Sequence, residues 1–97
     1  MAVAVVQEWR EDVTDRSTTN YDALRARLRE GDPIDGLLVH AAGFFGEGFR
    51  IFEVWESREQ FQRFVDDRLM PLVGQIGAGE APQPETSVYE LHSFERL

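Results

Sequence analysis

The stretch 49–64 constrains this chain more than any other. Phe49-Arg50-Ile51-Phe52-Glu53-Val54-Trp55 is rich in aromatic and β-branched residues, which suit a pleated, half-buried surface. In Glu56-Ser57-Arg58-Glu59-Gln60, Ser57 and Gln60 stand at the spacing of a capping box. A strand therefore turns into a helix at Glu56-Ser57. Trp55 closes the strand, where a wide ring would roof any space between sheet and helix.

The remaining elements are placed around that corner. Ala2–Trp9 is Val-rich and weakly alternating, as in a central strand buried on both faces. Arg10–Arg16 is a polar connection. Ser17-Thr18-Thr19 offers N-cap candidates, and Tyr21, Leu24 and Leu28 form one apolar stripe, predicting helix one over Asn20–Arg29. Gly31-Asp32-Pro33 ends it. Gly36–Ala42 reads as strand two, Gly43–Gly48 as a glycine-rich connection and Phe49–Trp55 as strand three, together a hairpin. Helix two is predicted over Arg58–Leu69 with Phe61, Phe64, Val65 and Leu69 inward, and Met70–Val73 as an extension beyond a kink at Pro71. Gly74–Pro84 reads as a loop and Thr86–Phe94 as strand four.

The order β-α-β-β-α-β predicts an α+β, ferredoxin-like domain with a four-stranded antiparallel sheet, strands one and three central, spanning 1–97 as one unit. Two helices cover one face of such a sheet. A chain of 97 residues buries only roughly 60 to 65% of its unfolded surface, so a second copy is expected on the other face, as a homodimer.

Composition removes several functions. The formal net charge is −8 and the basic residues lie scattered or along helix one, which disfavours nucleic acid and anionic membranes as partners. There is no cysteine, excluding thiolate chemistry and cysteine-ligated metals. All ten basic residues are arginine, so no lysine amine serves Schiff-base catalysis. No phosphate-cradling glycine loop precedes a helix, so no cofactor is expected. Met1–Val6 is too short for a signal segment, and the expected location is cytoplasmic.

The element order, the Val54-Trp55-Glu56-Ser57 corner and the closing Val88-Tyr89-Glu90-Leu91-His92 resemble the dimeric α+β barrel superfamily. Within it the chain is similar to small actinobacterial proteins grouped with antibiotic biosynthesis monooxygenases. The resemblance implies two sheets paired into a barrel, with a substrate pocket between each sheet and its own helices. It also implies that Trp55 lines the pocket. A histidine common on helix two of this branch falls at Phe64, so haem ligation in that arrangement is not expected.

The chain has two histidines, His40 in strand two and His92 in strand four, each in an apolar run and each a candidate acid or base. Glu53 shares a strand face with Ile51 and Trp55 because strand side chains repeat every two residues. If the hairpin register turns His40 toward that face, imidazole and carboxylate form a dyad; the turn closes with either parity, and Glu53 paired with Arg50 is the competing arrangement. His40, His92 and Glu53 are also ligand types for a metal, but no two are closely spaced, and no metal site is assigned. Tyr89, His92, Phe61 and Phe64 join Trp55 as candidate substrate-binding residues, suited to a flat hydrophobic ligand. The expectation is a cofactor-independent enzyme acting on an aromatic or polyketide-derived molecule by acid/base chemistry at His40 and Glu53, through cyclisation, isomerisation or oxygenation. The alternative is a non-catalytic homodimeric small-molecule-binding or accessory protein.

Overall fold

A computed structural model describes residues 1–9, 18–46, 48–77, 79, 83–95 and 97. The elements run β1 (Val3–Trp9), α1 (Thr19–Glu30), β2 (Leu37–Phe45), β3 (Gly48–Trp55), α2 (Arg58–Phe64), a π turn (Val65–Leu69), α3 (Met70–Gln75) and β4 (Glu85–Glu90). The sheet order is β2-β3-β1-β4, every neighbouring pair antiparallel. This is the predicted α+β, ferredoxin-like arrangement, with β1 and β3 in the centre.

The register separates the sheet into two faces. Val3, Val5, Gln7 and Trp9 lie opposite Trp55, Glu53, Ile51 and Phe49 of β3, and Val88 of β4 opposes Val5. This is the face the helices cover. Val3, Val5, Trp55 and Phe61 form its buried core, with Ile34, Leu37, Phe64, Val65 and Val88 packed around them. Ala4, Val6, Phe52, Val54, Ala41 and Tyr89 alternate onto the opposite face. There Arg50 pairs with its cross-strand neighbour Glu8 at 2.6 Å and lies 4.4 Å from the centre of the Phe45 ring.

Several boundaries differ from the sequence expectation for identifiable reasons. Strand two starts at Leu37 rather than Gly36, since Gly36 sits at φ +86°, outside extended geometry. It continues to Phe45, because Phe44 and Phe45 pair with Phe49 and Gly48, so the glycine-rich connection shrinks to positions 46 and 47. Gly46 takes φ +53° there, the left-handed conformation that tight hairpin links require. An irregularity between Leu37 and Val39 sets the upper register of β2 against β3.

Ser57 caps α2, and the Gln60 side chain bonds back to the serine hydroxyl rather than to the serine backbone N–H. The Ser57 hydroxyl oxygen accepts from the Gln60 backbone N–H at 3.2 Å and its O–H donates to the Gln60 side-chain carbonyl at 2.8 Å. Helix two is a continuous arm of three parts, in which the π turn stands just ahead of Pro71 and the Met70 N–H bonds five residues back, to the Val65 carbonyl. A proline ring clashes with the carbonyl four residues earlier; a widened turn is one way a helix passes such a residue without stopping. β4 ends at Glu90 instead of Phe94. The predicted connection Arg10–Arg16, the cap candidate Ser17 and part of the 74–84 loop lie outside the described residues.

Candidate active site

On the helix-covered face, His40 stands directly opposite Glu53 in the β2–β3 ladder. The two-residue link and the register between the strands give this pairing, resolving the parity that the sequence left open. His40 Nδ1 lies 2.7 Å from Glu53 Oε2. The other carboxylate oxygen, Oε1, accepts from the indole N–H of Trp55 at 3.0 Å, two residues along the same strand. On the far side of the imidazole, Nε2 lies 2.8 Å from the Tyr21 hydroxyl, brought in by the sheet-facing stripe of α1. Four side chains thus form one chain of hydrogen bonds.

Directions follow from donor chemistry. Indole N–H only donates, so Glu53 accepts there. An ionised Glu53 accepts at both oxygens, which puts the His40 proton on Nδ1 and leaves Nε2 of the neutral ring to accept from the Tyr21 O–H. Glu53 is a buried acidic residue, 7% exposed. Its two donors compensate the desolvation that an unpaired carboxylate would suffer, and no buried side-chain polar atom among the described residues lacks a partner. The side chains of His40 and Glu53 are 15% and 10% exposed, so the pair sits just beneath the surface. Arg50, the competing partner for Glu53, projects from the other face to Glu8.

Beside the imidazole the same face carries a group of rings. Tyr21 lies beside His40 with planes within 18° and meets Phe49 edge-on at 5.5 Å. Phe49 in turn contacts Phe44 at 5.0 Å and Trp9 at 6.1 Å. Phe44 is 40% exposed, so this group opens to solvent beside the base.

The remaining candidates fall elsewhere. Trp55 is fully buried, its indole 5.6 Å from Phe61 and 5.3 Å from Phe64. These three rings fill the space between β3 and α2, so the expected hollow beneath the indole is occupied by side chains. Trp55 and Phe61 are core residues, and Trp55 reaches the site only through its N–H. Phe64 packs on Trp55 and also lines a cavity of about 470 Å³ between the α1–β2 connection and α2, with Ile34, Gln60, Arg63 and Arg68; His40 and Glu53 are not part of it. Tyr89 alternates onto the opposite face and is 48% exposed, so it does not meet the His40 group. His92 lies beyond the end of β4, the strand expected to carry it, and is exposed. Among the described residues no cluster of three metal-ligating side chains forms, and no helix is long and apolar enough to cross a membrane.

Tyr21 was missed as a site residue in the sequence because it also satisfies the apolar stripe with Leu24 and Leu28. Its position on that stripe, facing the sheet surface that carries His40, was the available signal.

A ferredoxin-like sheet carrying a part-buried carboxylate–imidazole pair under its helices is the structural class these observations define. No protein-family model matches the sequence, and no curated protein does. Solved structures share the fold at low identity. Rv0793 from Mycobacterium tuberculosis is 17% identical with a TM-score of 0.69, over 99% of this chain and all of that one. A candidate antibiotic biosynthesis monooxygenase from Chloroflexus aurantiacus is 18% identical, TM-score 0.66, over 99% of this chain and 98% of that one. SnoaB, a cofactor-independent oxygenase from Streptomyces nogalater, is 13% identical, TM-score 0.64, over 96% of this chain and 95% of that one. The chain has the fold of the antibiotic biosynthesis monooxygenase-like proteins.

Proposed function

We propose that the protein is a cofactor-independent enzyme that moves a proton on a hydrophobic aromatic or polyketide-derived molecule, with His40 as the base. The carrying observation is the hydrogen-bonded run from Trp55 through Glu53 and His40 to Tyr21. Trp55 fixes Glu53, and Glu53 fixes the imidazole with its basic nitrogen turned to the Tyr21 hydroxyl. That is the arrangement of a base oriented by a carboxylate. The rings of Phe44 and Phe49 beside it suit a flat apolar ligand. Removing an acidic O–H or C–H proton is the step common to cyclisation, isomerisation and cofactor-free oxygenation of such molecules. The likeness of the fold to SnoaB supports this kind of chemistry. Assembly as a homodimer through the helix-free sheet face belongs to the same proposal.

The cavity of about 470 Å³ beside Phe64, which neither His40 nor Glu53 lines, favours a second reading, in which the protein binds a small molecule without turning it over. The general-base probe 5-nitrobenzisoxazole separates the two, since its ring opens on loss of one C–H proton and yields a coloured phenolate. Under the enzyme reading, the wild type accelerates this opening over buffer and His40→Ala loses about 100-fold, within the usual contribution of a positioned base, while circular dichroism stays unchanged. Equal rates for wild type and variant would sink it in favour of the binding protein.

A further inference from the structure

We infer that Tyr21, and not His40, is the group that meets the substrate, so that His40 acts through the phenol. This rests on the acid/base reading above and deepens it. Both nitrogens of the imidazole are engaged, Nδ1 by Glu53 at 2.7 Å and Nε2 by Tyr21 at 2.8 Å. The ring is largely covered, so a substrate that approached Nε2 directly would first have to break the Tyr21 bond. Tyr21 ends the run that begins at the fully buried Trp55. It is a half-buried helix residue whose ring is held beside His40 and against the edge of Phe49.

The proton count closes without a co-reactant. As the Tyr21 oxygen takes a proton from an acidic O–H of the substrate, its own proton passes to His40 Nε2. The products are a substrate anion, a neutral tyrosine and an imidazolium stabilised by Glu53. The reverse passage delivers a proton from the imidazolium, through Tyr21, to a substrate oxygen or carbanion. The arrangement parallels a hydroxyl nucleophile backed by an imidazole and a carboxylate, and that parallel supplies a probe independent of the natural substrate. With p-nitrophenyl acetate, the Tyr21 oxygen attacks the ester carbonyl, its proton goes to His40 and p-nitrophenolate leaves.

The experiment follows nitrophenolate release and maps acetylation by peptide mass in the full chain, with free N-acetyltyrosinamide under the same conditions as reference. Tyr21 is expected to acetylate at least tenfold faster than the free phenol although it is half-buried. His40→Asn keeps an amide able to donate to Glu53 but no base, and it should bring Tyr21 down to the reference rate or below. Glu53→Gln should lower it similarly and carries the comparison if His40→Asn fails to fold. Acetyl transfer through His40 with Tyr21 unmodified, seen as nitrophenolate release that survives in Tyr21→Phe, would overturn the role of Tyr21 and leave the acid/base reading standing. A Tyr21 rate at or below that of N-acetyltyrosinamide, with no reaction at His40, would overturn both.

Discussion

At the scale of single residues, Glu53 decides the character of the site. Its alternation with Ile51 and Trp55 put it on the inner face from sequence alone, but its partners did not follow from that. The pairing with His40 depends on a hairpin link of two positions, and Gly43, Gly46 and Gly48 gave the stretch the look of a longer loop. Tyr21 was hidden because a tyrosine fits an apolar stripe as well as leucine does. The resemblance implies that Trp55 lines a pocket, whereas Phe61 and Phe64 pack against its ring. Periodicity tells which way a ring points, not whether the space before it is full. The indole N–H has a use the sequence did not suggest, as donor to Glu53 Oε1. Trp55→Phe would leave that buried oxygen with no donor, at a cost of about 1–3 kcal/mol, and also vacates space in the core. Urea denaturation is expected to show a lower midpoint with an unchanged slope, and an unchanged midpoint would mean that the N–H bond is unimportant.

At the scale of elements, the β2–β3 hairpin holds the site together, because His40 and Glu53 meet only while its register holds. Gly48 is the tightest point in it. A Cβ built there would lie 2.6 Å from the Trp9 carbonyl oxygen and 3.0 Å from the Phe45 ring. The oxygen belongs to the backbone of the neighbouring strand, so it cannot swing away as a side chain can. Gly48→Ala is expected to destabilise by about 1–3 kcal/mol, the range for overpacking, and to weaken the Glu53–His40 pairing as β3 shifts. Thermal unfolding followed by circular dichroism checks the first effect, and the side-chain nitrogen chemical shifts of His40 check the second. The Ser57 cap and the corner at Glu56-Ser57 were legible because they are local. The ends of β2 and β4 were not, since where a strand stops depends on the strand beside it.

For the whole molecule, the order of elements was enough to give the layer arrangement and the central position of β1 and β3, because few connections are possible for that order. What the sheet does with its helix-free face is a separate matter. Val6, Phe52, Ala41 and Tyr89 lie there beside the Glu8–Arg50 pair. If two such faces meet, light scattering at micromolar concentration is expected to return twice the 11.1 kDa of one chain. Phe52→Asp, which sets a charge in the middle of that surface, should return a single chain with its far-ultraviolet spectrum intact. A wild-type mass of one chain at that concentration would remove the dimer.

The π turn at Val65–Leu69 also fixes how α3 is aimed. A bond reaching back five residues rather than four admits one surplus residue into the helix, and each residue of an α-helix advances the azimuth by about 100°. Without that surplus, Leu72, Val73 and Ile76 would be rotated by more than a quarter-circle relative to Phe61 and Phe64, and α3 would present a different side to α1, the helix that delivers Tyr21. The alignment of the arm's far end with the roof over the imidazole thus hangs on a miscount of one.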